Sequence, residues 1–187
     1  MCIGSVANDS GTPETVCDLS GLGAGAPGMT TACGTCLAEA AAVCLESQFH
    51  SPGVSLRIRG SFNNAYRLVW ATPTIQQRRT YADPLYATEH GACGVAILIT
   101  QKLTGKVVVE RSRRGTGFDY WLGDDDDDFF QGKVRLEVSG VLAGGDEEID
   151  ARIKVKERQT MVSDGRLPVY VIVVGFRHPT AAFQVRA

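Results

Sequence analysis

The first fifty residues contain no lysine and no arginine. Their five acids are Asp9, Glu14, Asp18, Glu39 and Glu46, so all 19 basic residues fall in 51–187 against 16 acids, a net of +3 there. A start without positive charge lacks the n-region of a secretory signal and the arginines of a transit peptide. A cytoplasmic location is therefore expected, with the six cysteines mostly reduced. No apolar run reaches spanning length, so no membrane partner is expected. The Gly-rich stretch GLGAGAPG (21–28) lacks the GK[ST] ending and the preceding strand of a P-loop. A G-x-S-x-G nucleophile elbow is absent as well. The three histidines show no ligand spacing: His90 follows Glu89 directly, and on a helix the two diverge by about 100°.

What is present is an ordinary apolar content of 44%, enough for a full core in one domain. Residues 1–30, rich in Gly, Ala, Ser and Thr, read as a loop-like or mobile start. Residues 31–187 then read as one α/β domain. ACGTCLAEAAAVCLES predicts a helix over 32–47, stopped by HSPG. SLRIRG and YRLVWA alternate around Asn-Asn and predict a β-hairpin. TPTIQQRRTYADPLY is ambiguous. ATEHGACGVAILITQKLTG predicts a buried helix with Gly105 as its stop, and KVVVERS a strand. In DEEIDARIKVKERQTM the early acids and later bases favour a helix, although Ile149, Ala151, Ile153 and Val155 also alternate as a strand would. LPVYVIVVGF predicts a fully buried strand.

Between these elements lies RSRRGTGFDYWLGDDDDDFFQGKVRLEVSG (111–140). It reads as two strands, each carrying one acid in an apolar or aromatic setting: Asp119 and Glu137. A carboxylate inside a strand needs compensation, and a divalent metal supplies it. Period-two alternation puts Asp119 with Trp121, and Glu137 with Arg135 and Ser139, leaving Val134, Leu136 and Val138 for the core. If the strands are neighbours, the two acids can converge on one Mg²⁺. Glu89 on the preceding helix is a candidate third ligand. Lys154 or Lys156 would supply positive charge and Gln159 would orient water, with Arg152, Lys156 and Gln159 sharing a helix face. Arg111, Arg113 and Arg114 stand immediately before the site, as a phosphate track would require. Tyr120 and Trp121 can stack on a base or fill the core, and core is the expectation for Trp121.

The order from residue 85 onward is a helix with Glu89, a strand, GFD ending at Asp119, E-V-S from Glu137 to Ser139, a basic helix with Gln159, and an apolar strand. This resembles the PD-(D/E)XK, or restriction-endonuclease-like, nuclease superfamily over roughly 85–177. The resemblance implies an αβββαβ sandwich with a mixed central sheet, here with the helix and β-hairpin of 31–84 as an extension. It implies Mg²⁺ or Mn²⁺ bound by Asp119 and Glu137, with Glu89 auxiliary, and hydrolysis of DNA or RNA within a larger assembly, a defence system or a homo-oligomer. The departure is Ser139, where the superfamily carries lysine. Some members move that lysine to a neighbouring helix, which nominates Lys154 or Lys156; otherwise the chain is a catalytically inactive binding or scaffold subunit.

Other readings stand beside this one. Asp119 can cap the GTG turn while Glu137 pairs with an arginine. Cys33, Cys36 and Cys44, with Cys17 or His50, offer a zinc or redox site, against the expectation of small buried thiols. The run Asp124–Asp128 reads as a solvated loop, since consecutive side chains point apart and cannot share one ion.

Overall fold

In the computed structural model, residues 15–124, 133–161 and 167–186 are described. Thr30 opens the first helix, its side chain accepting from the Cys33 N–H, and α1 runs Thr31–Ser47. A capping box between Thr74 and Gln77 starts the short α2, Ile75–Thr80, in the segment whose sequence was ambiguous. Asp83 caps the longest helix, Pro84 occupies its first turn, and Gly105 at φ 72° ends it; α3 is Pro84–Thr104. Where α1 and α3 cross, a Cβ on Gly91 would lie 2.9 Å from Ala41 Cα, and one on Gly94 2.9 Å from Leu37 O. The two backbones touch there, and a larger residue would drive them apart.

The expected hairpin is β2, Val54–Gly60, antiparallel to β3, Asn64–Val69. Further along, β4 (Val107–Arg111), β5 (Tyr120–Gly123) and β6 (Val134–Val141) form an antiparallel meander. Then α4, Asp146–Met161, carries the chain back so that β7, Val169–Gly175, lies parallel to β6. Only such a crossover can join parallel neighbours. From α3 to β7 the order is thus helix, three antiparallel strands, helix, parallel strand. The last strand, β8 (Thr180–Arg186), was not anticipated; it pairs antiparallel with β7 and parallel with β2. With β1 (Val16–Asp18) parallel to β3, one mixed sheet results, ordered β1-β3-β2-β8-β7-β6-β5-β4. The chain is α/β, and the hairpin belongs to the central sheet rather than standing apart from it.

Strand alternation divides the core into two layers. Leu136, Val138, Ile172, Val174 and Phe183 pack with α1 and α3, whereas Val141, Val169, Val171, Val173 and Ala182 pack with Ile149 and Ile153 of α4. Burying these two isoleucines contributes about 1.5–3 kcal/mol each, and it decides the helix-or-strand ambiguity. They sit four apart on one buried face, while Ala151 and Val155 are exposed. Two ion pairs tie α4 to β2: Arg57 to Asp146 and Arg59 to Asp150, both at 2.7 Å.

The loop-like reading of 1–30 is corrected where the structure describes it. After β1 a 3-10 helix spans Leu19–Ala24, and Cys17, Leu19, Leu22 and Met29 are buried. Its apolar residues are few, but they face α1. Residues 1–14 lie outside the described residues, as do Asp125–Asp128 of the aspartate run; Asp124 is exposed and paired with Lys106 at 2.8 Å.

Candidate functional site

β5 and β6 are paired as Tyr120↔Leu136, Trp121↔Arg135 and Leu122↔Val134. One more step of that register would set Asp119 opposite Glu137 on the same face, where directly opposed side chains start about 4.5–5.5 Å apart at Cβ. The regular ladder stops at Tyr120↔Leu136, but Asp119 stays tied to β6: its N–H donates to Leu136 O at 2.8 Å, and its Oδ2 accepts from the Val138 N–H at 2.8 Å, which sets the carboxylate beside Glu137. One carboxylate oxygen is thus spent on the strand ladder, which fixes the orientation of the other. The loop that delivers Asp119 turns at Gly115 and Gly117, with φ of 93° and 81°, and the Ser112 N–H closes it on Asp119 O.

Glu137 is 2% exposed, in the middle of β6. Burial pushes its carboxyl up to about 7; the negative charge of Asp119 adds to the rise, and Lys156 opposes it. Nζ of Lys156, reaching down from α4, lies 2.5 Å from Glu137 Oε1. The partner of Glu137 is therefore this lysine, not an arginine. Lys154 is exposed and lines neither of the cavities described below. Two residues along a helix turn through about 200°, so only one of the two lysines can face the sheet. Arg152, one turn before Lys156, points its guanidinium at Ser139 Oγ, at 3.5 Å. The helix thus sets a cation over each of Glu137 and Ser139.

Two cavities adjoin these groups. The larger, of about 1040 Å³, is lined by Asp119, Glu137, Lys156 and Gln159 together with Arg111, Arg113 and Arg114. Phe118, Trp121, Arg135 and Leu167 complete it. The smaller, of about 310 Å³, lies between α3 and α4; Glu89, His90, Cys93, Ser139 and Arg152 line it. Arg111, Asp119 and Lys156 border both. Glu89 therefore reaches the same cavity as Asp119, but it is exposed, and among the described residues no three His, Cys, Asp or Glu side chains gather as a metal group. The donor set that does converge is a pair of carboxylates.

Trp121 is not the core residue expected, and Tyr120 is. Tyr120 is 2% exposed with Arg111 stacked 5.4 Å over its ring, and Trp121 is the half-buried one, facing the larger cleft. The signal was present in the sequence, since Trp121 has the parity of Asp119. Arg135, buried and donating to Leu167 O at 2.6 Å, was likewise readable only as a neighbour of Glu137.

The thiols divide. Cys17 and Cys44 are buried as expected, Cys33 is half-buried and Cys36 is exposed. Cys33 and Cys36 therefore are not the core thiols that their helical spacing predicts. The described cysteines form neither a disulfide nor a metal group. His50 is structural, with Nε2 3.0 Å from Phe176 O. No described helix is long and apolar enough to cross a membrane.

Compared with protein-family models, curated proteins and solved structures, the chain matches none.

Proposed function

We propose that the chain is a metal-dependent nuclease of the restriction-endonuclease-like kind, hydrolysing phosphodiester bonds in the larger cleft. The observation that carries this reading is the approach of the Asp119 carboxylate to Glu137, with Lys156 on Glu137 and three arginines lining the same cavity. The α3-to-β7 element order supports it too.

The donor set fits Mg²⁺ or Mn²⁺, which takes oxygen ligands and commonly keeps several waters beside one or two carboxylates. Two acids crowded until one is pushed up to about 7 have negative charge to share with a cation. Such an ion supplies a polarised phosphoryl oxygen and a bound water of lowered pKa. The chain's own groups do the rest. Lys156, paired with Glu137, takes the role of the superfamily's strand lysine and stabilises charge developing on the phosphate. Gln159, one turn further along α4, orients the attacking water. Arg111, Arg113 and Arg114 hold flanking phosphates. Glu89 acts from the second cavity, and Lys154 takes no part.

The test is incubation of the purified protein with single-stranded and duplex DNA and RNA, with Mg²⁺, Mn²⁺ or EDTA. Cleavage should need the metal and disappear in Asp119→Asn and Glu137→Gln. A second reading, a catalytically inactive nuclease-like binding or scaffold subunit, is favoured by Ser139 and by the Lys156–Glu137 ion pair, which compensates the buried acid without a metal. Nucleic-acid binding with no metal-dependent cleavage would establish that alternative.

A further inference from the structure

Trp121 combines three properties that a core residue does not need. It is half-exposed inside a cavity, it stands two residues from Asp119 on the same face of β5, and its ring is held in place. Phe118, 8% exposed, packs against the indole edge-to-face at 4.6 Å and 78°. The ammonium of Lys133 lies 5.5 Å over the ring. A large apolar face left partly in water is unfavourable by roughly 25 cal/mol per Å², whereas its aromatic neighbours Phe118 and Tyr120 are buried.

The surroundings say what would cover it. Arg111, Arg113 and Arg114 stand on the same cavity wall system as the indole. A fixed aromatic ring within a cationic groove is the arrangement that binds single-stranded nucleic acid: the cations follow the phosphates and the ring takes a base. In a duplex both faces of each base are already covered by neighbours, and exposing one requires unstacking worth a few kcal/mol. An unpaired strand offers its bases at no such cost. A base arriving on the indole would take the place of the Lys133 ammonium, whose flexible stem can follow the adjacent phosphate.

We propose that the cleft selects single-stranded nucleic acid, with one base stacked on Trp121 and the flanking phosphates held by Arg111, Arg113 and Arg114. This rests on the nucleic-acid reading above, but not on catalysis.

The test is a fluorescence titration with metal withheld, using an oligothymidylate of about 12 nucleotides, within the range of single-strand site sizes, and a blunt duplex of the same length. The only other tryptophan, Trp70, is 7% exposed and outside the cleft. The single strand should quench the wild type and leave Trp121→Phe unquenched. Trp121→Ala should bind it about tenfold more weakly or worse, and Trp121→Phe should keep most of the affinity, with circular dichroism verifying that both are folded. Equal affinity for the duplex, quenching that survives in Trp121→Phe, unchanged affinity in Trp121→Ala, or no binding to either probe would each overturn the proposal. Metal-dependent cleavage without quenching rejects the platform and keeps the nuclease; quenching without cleavage does the opposite.

Discussion

Lys156 Nζ and Glu137 Oε1 stand 2.5 Å apart, the lysine on helix α4 and the acid at the centre of strand β6. The pair is made entirely by how the helix lies on the sheet. It brings a positive charge to Glu137 from a different element, and it determines how the site should respond to change.

Lys156→Met should lower metal-dependent cleavage about 100-fold or more, the loss typical of removing one preorganised group aimed at developing charge. Lys156→Arg should recover part of it. Lys154→Met, on the exposed side of the same helix, should change stability by less than about 0.5 kcal/mol and leave cleavage as it is. Initial rates on one oligonucleotide compare all three, and a larger effect at Lys154 than at Lys156 would refute the assignment.

Glu137 gives the metal-free protein a characteristic pH dependence. Its carboxyl is near 7 in the fold against an ordinary value of 4.5. Below the lower value it is protonated folded or unfolded and costs nothing. As pH rises, the unfolded chain ionises first, so stability falls across this window and the loss is complete above about 7, on the order of 3 kcal/mol in all. Denaturant titrations from pH 4.5 to 8 should show this decline in the wild type and not in Glu137→Gln. Mg²⁺, by favouring the ionised acid, should flatten the wild-type curve. Parallel curves for the two proteins would contradict the assignment.

Gly94→Val should destabilise by about 1–3 kcal/mol or more. Its Cβ would meet Leu37 O at 2.9 Å, a backbone atom that cannot swing aside. Gly145, with nothing within 4 Å of an added Cβ, is the control, and Gly145→Ala should melt close to the wild type. Thermal unfolding followed by circular dichroism separates the two.

Maleimide labelling of the native protein should modify Cys36 and spare Cys17 and Cys44. Cys36 is exposed, whereas the other two are buried and their thiols are pushed up to about 11 and 12 by that burial. Peptide mapping before and after denaturant reads this directly. Early labelling of Cys44 would show that α1 does not stay docked.

Period-two alternation made Asp119, Glu137 and the core side of β6 legible, and helix signals placed α1, α3 and α4. These are local properties: neighbouring side chains on one strand or helix point where the backbone geometry sends them. Trp121 was legible in the same way, by parity, but its hydrophobicity argued for the core, and burial depends on which other elements arrive to cover it. Among the described elements α4 packs on β6, β7 and β8, and the indole on β5 lines the cleft. β1, with three residues, is too short for a periodic signal, and β8, TAAFQVR, is buried at four consecutive positions and does not alternate; pairing with β3, and with β7 and β2, holds them in the sheet.

The sequence by itself determined the α/β class, Glu137 on its strand, the absence of basic residues before residue 51 and the cluster of arginines before the site, whereas Asp119, expected on a strand, stands one residue before β5. Tertiary structure alone decided the rest: that Asp119 faces Glu137 rather than the opposite side, that Lys156 and not Lys154 meets them, and that Trp121 lines the cavity. Those are contacts between residues 17 to 37 positions apart or across elements, and strand register and helix docking fix them through packing of the whole sheet, which no local pattern records.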